Sequence, residues 1–322
     1  MTAIAFTLIS YIFLFLLIVG VIQLLKWRGV FNDSHQPVFD RLVTELALPA
    51  IVFGLVTTTT FENGWILPIL IITGAVIVSM LIAWGVSTAL KFSPAVTGTV
   101  VILSAWGSTY TLGTPVLGAV FGVASSEAAL GNVLGSFGFA LPFFTIGILV
   151  AGYFGLRERS EKFVLFPFLK EYLWSPVFLA FWLGLVVAVL FTVFQVPGAG
   201  LYTDFFQDFF VVIQHALNLL VWIAVGLLLR PVQLRTLLPP LVIVVAVHLC
   251  LLPALVFFLG YAAVLPAMQL EVSVILAAMP SGAIAGVIAQ RYGCDGKLAA
   301  AILVATYLIS LVTLPLIATL VI

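Results

Sequence analysis

Long, uninterrupted apolar stretches constrain what this chain can fold into. They run for ~20 residues or more without the period-two alternation of an amphipathic strand. Only 7% of the 322 residues are charged and 64% are hydrophobic, whereas an ordinary soluble domain is about a quarter charged. No soluble fold could bury so much apolar surface, so lipid must be the solvent. Because lipid cannot hydrogen-bond a backbone, the spanning segments must be helices or a closed barrel, and the stretch length favours helices.

Hydropathy, with proline, glycine and charged residues marking the ends of the apolar stretches, predicts an all-α membrane protein of ten transmembrane helices. The first stretch lacks a basic region and a cleavage site, so we interpret it as a retained span rather than a signal peptide. The predicted spans lie near residues 3–26, 41–60, 66–90, 95–122, 128–154, 174–196, 205–230, 236–260, 270–292 and 296–321.

The basic residues predict the orientation of these spans. All twelve Lys and Arg residues fall at the odd-numbered connections, whereas the even-numbered connections contain only acidic charges. Since cytoplasmic connections are enriched in Lys and Arg, the odd connections are predicted to be cytoplasmic and both termini to lie outside. We therefore expect a multi-pass protein of the cell inner (plasma) membrane. Glu45, one helical turn after Arg41, is expected to form an ion pair with it.

The chain is predicted to consist of two repeats of five helices. A shift of about 173 positions superposes the starts of all five predicted spans, and Val101-Ile-Leu-Ser-Ala-Trp-Gly-Ser108 then aligns with Val274-Ile-Leu-Ala-Ala-Met-Pro-Ser281. An odd number of spans per repeat makes the second repeat inverted. The predicted boundaries are 1–154 for the first repeat, 155–173 for a cytoplasmic linker and 174–322 for the second repeat.

Inverted repeats of this kind are characteristic of secondary transporters, whose binding sites are built from interrupted helices near the membrane midplane. Predicted spans four and nine each carry helix-breaking residues at matching depth, and local unwinding there leaves main-chain groups in need of partners. The alternative is a pair of proline kinks that only shape helix packing. The expected substrate-binding residues are Ser108, Thr109, Gly113, Thr114, Pro115, Pro280, Ser281 and Gly282.

A helix that begins after such a break directs its positive dipole end towards the break, which favours an anion. We therefore expect a small organic anion, such as a carboxylate, as the substrate. His248 and His215 lie deep in predicted spans eight and seven, so each is a candidate for proton coupling, with a neutral, structurally satisfied imidazole as the alternative. No Asp or Glu falls at the predicted midplane, so a Na⁺ site would have to use carbonyl and hydroxyl oxygens.

Other classes of protein are excluded by the sequence. It contains no P-loop, no HExxH motif, no nucleophile elbow and no cluster with metal-ligand spacing. We therefore expect neither an enzyme nor a metal centre, and no cofactor beyond Na⁺ or H⁺ as a coupling ion. The basic residues are dispersed at the ends of spans, so no nucleic-acid partner is expected.

The chain resembles the auxin efflux carrier family of membrane transporters along its whole length. The resemblance is carried by Met279-Pro280-Ser281 with Ala289 and Tyr292-Gly293, by Thr306, Ser310 and Leu314-Pro315, by Leu48-Pro49 with Phe53, and by Gly113-Thr114-Pro115 with Phe121-Gly122. It implies ten helices in two inverted repeats, with broken helices four and nine crossing at the substrate site. It further implies a dimerising scaffold of spans one, two, six and seven and elevator-type movement of the remaining spans.

One position departs from the family pattern. Family members often have Asn shortly before the Gly-x-Pro of span four, where this chain has Ser108. Auxin-like selectivity is therefore not carried over. Two alternatives to an anion transporter stay open: a sodium-coupled symporter of the bile-acid type, which resembles this family in its broken helices, and a non-transporting receptor or sensor with the same fold.

Overall fold

The computed structural model describes residues 2–58, 63–122, 125–161, 170, 172–194 and 199–321, and these residues are almost entirely helical. The α-helices are α1 (Thr2–Trp27), α2 (Gln36–Arg41), α3 (Leu48–Thr58), α4 (Ile66–Ala89), α5 (Pro94–Ala105), α6 (Thr114–Phe121), α7 (Ser126–Val133), α8 (Ile148–Glu158), α9 (Pro176–Phe194), α10 (Ala199–Leu228), α11 (Leu234–Val244), α12 (Leu252–Ala262), α13 (Ala267–Ala277), α14 (Ala283–Arg291) and α15 (Gly296–Val321).

Wider π-helical turns join several of these helices. Most of them end one residue before an X-Pro step, as at Pro49, Pro115, Pro142 and Pro253. Proline has no N–H to donate, and its ring clashes with the carbonyl four residues earlier, so a wider turn relieves both problems. The π-helical turns are Leu42–Ala47, Thr109–Gly113, Leu134–Ala140, Phe143–Gly147 and Val245–Leu251.

Six helical stretches in the described part of the chain are long and apolar enough to cross a membrane. Four further apolar helices are shorter, and three of them (Pro94–Ala105, Thr111–Phe121 and Ala267–Ala277) belong to predicted spans four and nine. The protein is therefore a multi-pass membrane protein. The count of ten spans and the two inverted repeats stay predictions, and residues 162–169 and 171 of the predicted linker lie outside the described residues.

The helices pack as two neighbouring sets. In one set, α9 lies along α3, and α10 contacts α1, α2 and α3. In the other, α4 lies along α5, α5 contacts α8, and α12 contacts α4 and α13. An aromatic cluster joins the sets, because Phe15 of α1 packs 4.4 Å from Tyr307 of α15 and 6.0 Å from Trp222 of α10, between ring centroids. This cluster holds Tyr307 beside the interruption described below.

Charged residues from several connections meet at one end of the bundle. Arg230 forms an ion pair with Asp33, and Lys26 donates from Nζ to the carbonyl of Leu227 at 2.8 Å, which caps the last turn of α10. Arg291 donates to Glu45 Oε1 at 2.8 Å. The predicted ion pair between Glu45 and Arg41 was therefore wrong, because tertiary packing brings the end of α14 to this carboxylate.

Candidate functional site

Predicted spans four and nine are both interrupted. Helix α5 ends where Trp106 adopts an extended conformation (φ −120°, ψ 121°), and helical structure resumes with the Thr109–Gly113 turn. Helix α13 ends at Ala277, and α14 begins after Gly282, which is again extended (φ −70°, ψ 124°). Pro280 explains the second interruption, because it cannot donate a helical hydrogen bond and would clash with the preceding turn.

The two interruptions pair with each other through the backbone. Gly107 lies opposite Ser281 in an isolated antiparallel bridge. The N–H of Ser108 donates to the carbonyl of Pro280 at 2.7 Å, and the N–H of Gly282 donates to the carbonyl of Trp106 at 2.9 Å. A Cβ on residue 282 would lie 3.1 Å from the carbonyl oxygen of Gly107, so glycine permits this close approach. Each unwound segment thus satisfies main-chain groups of the other.

Side chains satisfy the carbonyls left free where α5 ends. The hydroxyl of Ser281 donates to the carbonyl of Leu103 at 2.8 Å. The ring of His248 donates from Nδ1 to the carbonyl of Ser104 at 3.1 Å, which assigns the ring hydrogen to Nδ1 because a carbonyl only accepts. Both side chains are fully buried. The end of α5 is therefore capped by one residue of the α13–α14 interruption and one of the Val245–Leu251 turn.

Ser108 has a partner of its own in α15. Its Oγ lies 2.9 Å from the hydroxyl oxygen of Tyr307, and both side chains are almost completely buried. Tyr307 was not among the residues expected at the site. Its place there depends on the packing of α15 against α1 and α5, which no local sequence signal reports.

A cleft opens beside the paired interruptions. Its volume is about 420 Å³ when the open space at its mouth is counted, which lies within the range of small-molecule sites. Its polar lining comes from hydroxyls and main-chain groups, and it contains no charged side chain. The described residues that line it are Trp106, Gly107, Ser108, Thr109, Thr111, Phe139, Ala140, Phe143, Phe144, Gly282, Ala283, Ile284 and Ala285.

The residues expected at the site take three kinds of position. Ser108, Thr109 and Gly282 line the cleft, whereas Pro280 and Ser281 form the backbone pairing behind it. The remaining three lie further along the chain, outside the cleft lining. The Cα of Gly113 faces Leu276, Thr114 Oγ1 donates to Asn132 Oδ1 at 3.1 Å, and Pro115 occupies the first turn of α6.

Sequence reasoning missed the aromatic wall of the cleft. Phe139, Phe143 and Phe144 come from the predicted fifth span, and Trp106 packs 5.3 Å from Phe143 between ring centroids. In a span that is apolar on all sides, nothing in the sequence separates cleft-facing from lipid-facing aromatic residues.

The interruptions give the site two electrostatically different sides. The cleft is lined by Thr109 and by Ala283, Ile284 and Ala285, the first residues after each break, where the positive ends of the helix dipoles lie. No side chain caps the beginning of α14. The negative ends belong to α5 and α13, and His248 lies at the end of α5. His215, by contrast, is exposed on α10 and does not line the cleft.

Comparisons with known proteins find similarity along almost the whole chain. Residues 6–318 match a protein family described as "Membrane transport protein". The chain is also 25% identical over 307 residues to a protein of Methanothermobacter thermautotrophicus described as an "Uncharacterized transporter", and the alignment covers 94% of each chain.

Proposed function

Because the chain belongs to the membrane transport protein family, the auxin efflux carrier family that its sequence resembles, we propose that it is a secondary active transporter of a small organic anion. Membership of this family makes it a transport protein rather than an enzyme. The observation that carries the substrate class is the cleft at the paired interruptions, where hydroxyls and helix beginnings converge without a charged side chain.

The chemistry of the cleft favours an anion of modest size. A helix beginning carries roughly half a positive charge, and two such beginnings with several hydroxyls can hold a carboxylate. The aromatic wall formed by Phe139, Phe143 and Phe144 suits an apolar part of the same molecule. Without a Lys or Arg in the lining, the anion is not held so tightly that release becomes slow, which suits a carrier.

The packing of the helices supports an elevator-type mechanism. We assign α1, α2, α3, α9 and α10 to a scaffold that forms a homodimer in the lipid bilayer. The remaining helices carry both interruptions and form the moving unit. Contacts between the two sets, such as those of α1 with α6 and α15, would then change during transport.

We further propose the topology predicted from the sequence. The protein lies in the cell inner membrane with both termini outside, and its repeats comprise residues 1–154 and 174–322. The ion pairs Arg230–Asp33 and Arg291–Glu45 and the contacts of Lys26 support this orientation, because they gather the first, seventh and ninth connections at one end. Labelling of single cysteines introduced at positions 91 and 265 from either side of the membrane tests it.

The proposed function is tested by binding and by flux. A thermal-shift screen of carboxylates and amino acids, with and without Na⁺ and across pH, identifies compounds that stabilise the purified protein. Uptake of those compounds into liposomes then separates a transporter from a receptor, and a dependence of uptake on Na⁺ separates a sodium symporter from a carrier that needs none.

Variants of the cleft complete the test. Ser108→Ala removes a hydroxyl from the cleft lining, whereas Tyr307→Phe removes the partner of that hydroxyl and leaves the serine in place. We expect Ser108→Ala to lower uptake at least tenfold at low substrate concentration (about 1.4 kcal/mol) and Tyr307→Phe to lower it less. Unchanged uptake and binding in Ser108→Ala and Ser281→Ala would contradict the proposed site.

A further inference from the structure

His248 has one ring nitrogen that the pairing of the interruptions leaves without a partner. Its Nδ1 donates to the carbonyl of Ser104, yet Nε2 is completely buried and forms no hydrogen bond within the described part of the chain. The ring as a whole has no exposed surface. An unpaired buried polar atom costs about 1–3 kcal/mol, so its retention at this position calls for an explanation.

The surroundings of Nε2 are main-chain carbonyls. The carbonyls of Met279 and Pro280, in the α13–α14 interruption, lie close enough to favour a positive charge on the ring, although they form no hydrogen bond with it. In a neutral imidazole whose hydrogen is on Nδ1, Nε2 presents a lone pair to these carbonyl oxygens. Both atoms are then hydrogen-bond acceptors, so no hydrogen bond can form between them. A doubly protonated ring presents an N–H on each side, so one group could donate to both interruptions.

Complete burial favours the neutral ring, and the position of the ring in the fold partly offsets this. Helix α5 ends at Ala105, so the negative end of its dipole lies at the ring, and the carbonyls of Met279 and Pro280 follow the end of α13 at Ala277. A helix end favours a cation, and more strongly when partly buried. The beginnings of the second half-helices point instead towards the cleft.

In the described part of the chain, the elements that pack most closely against the His248 turn carry no carboxylate, and the turn itself carries Cys250. Helices α4 and α5, which pack against the His248 turn, contain no charged or titratable residue. The other three helices against it carry Arg235 and Tyr261 near their ends, and Lys297 and Tyr307 in α15. The hydroxyl of Tyr307 is engaged by Ser108. Within the described part of the chain, the one hydrogen bond of the ring is that from Nδ1 to the carbonyl of Ser104.

We propose that His248 is a proton-binding site, in which the doubly protonated ring bridges the end of α5 and the carbonyls of the α13–α14 interruption and is linked to the anion in the cleft. The link rests on the proposed function. The link follows from the short distance between the ring and the cleft. Gly107 lines the cleft, and a Cβ placed on this residue would lie 3.3 Å from Nε2 of His248. An anion in the cleft and a proton on His248 stabilise each other across a single peptide layer, so each raises the affinity for the other.

The protonation state is measured by ¹⁵N nuclear magnetic resonance on the full-length chain in lipid nanodiscs. The chain has three histidines, so a variant with His35→Gln and His215→Gln leaves His248 as the only one. Both replaced residues lie outside the interruptions, and the thermal unfolding midpoint of the variant checks that the fold is retained. The spectra are recorded from about pH 8 to about pH 4, a range centred on the ordinary titration of histidine.

We expect His248 to gain a second, exchange-protected N–H as the pH falls. Added benzoate, but not the uncharged benzamide, is expected to extend the charged form to higher pH by about one unit, a tenfold gain in proton affinity. A ring with a single N–H at every pH at which the protein is folded, with and without benzoate, would overturn the proton site.

The two proposals fail in different ways. If His248 titrates and benzoate does not change the pH of that titration, the result supports the proton site and counts against an anion in the cleft. In flux assays, His248→Gln is expected to abolish the pH dependence of uptake, whereas the matched variant His215→Gln retains it. Uptake with the same pH dependence in both variants would contradict the link between proton and anion.

Discussion

Arg291, at the end of α14, donates to Glu45 Oε1 at 2.8 Å and also to the hydroxyl of Thr44. This contact joins one of the interrupted spans to the proposed scaffold. Thr44 in turn donates to the carbonyl of Asp40 at 2.7 Å, and Gln36 donates to the Asp40 carboxylate at 2.7 Å. A small polar network therefore connects the two helix sets at the charged end of the bundle.

Breaking this contact is expected to change transport more than stability. The pair is partly exposed, and such pairs contribute about 0–1 kcal/mol. We expect Glu45→Gln to lower the free energy of unfolding by less than about 1 kcal/mol and to alter the uptake rate severalfold, because movement of one helix set must separate these residues. The exchange Glu45→Arg with Arg291→Glu is the control. Failure of the exchange to restore the wild-type rate would show that the pair itself does not matter.

Asp40 predicts a pH dependence of stability. Burial raises the pKa of its carboxyl to about 6, although the hydrogen bond from Gln36 and the charge of Arg291 oppose this. The folded state then binds the proton more tightly than the unfolded chain. Between about pH 4 and pH 6 the free energy of unfolding should fall as pH rises, by on the order of 1–2 kcal/mol. Asp40→Asn should flatten this fall in thermal unfolding, and an unchanged slope would contradict the prediction.

The buried hydroxyl of Ser281 is expected to contribute to stability through the carbonyl of Leu103. Ser281→Ala leaves that carbonyl without its partner, which should lower the free energy of unfolding by about 1–3 kcal/mol. Ser10→Ala is the matched control, since that hydroxyl is exposed and bonds only within its own helix. Equal midpoints of thermal unfolding for the two variants would exclude the proposed cap.

Gly155 is expected to be intolerant of any side chain. A Cβ there would lie 1.6 Å from the carbonyl oxygen of Tyr292, which belongs to the backbone and cannot turn aside. Gly155→Ala should therefore lower the free energy of unfolding by at least about 1–3 kcal/mol, which is the usual cost of overpacking a core. Gly74→Ala, in α4, meets no atom within 4 Å and should be neutral or stabilising. Comparable thermal stability of both variants would refute the close approach of α8 to the turn after α14.

The positions of the interruptions could be predicted because their causes are local. Pro280 and the glycines beside it disrupt a helix wherever they occur. The partners of the interrupted segments could not be predicted, because Ser281 and Leu103 are 178 positions apart, and Ser108 and Tyr307 are 199 apart. The depth of His248 was predictable from hydropathy, but its contact with Ser104 depends on how α5 and the Val245–Leu251 turn pack together.

The backbone pairing of Gly107 with Ser281 also bears on how the protein is made. While the ribosome has delivered only the first half of the chain, the N–H of Ser108 and the carbonyl of Trp106 lack the partners that the second half supplies. These groups must stay hydrated, or be shielded by the insertion machinery, until the distant segment enters the bilayer. The meeting of the two halves therefore comes late in the folding of each chain, and a truncated first half should be recognised as incomplete and degraded.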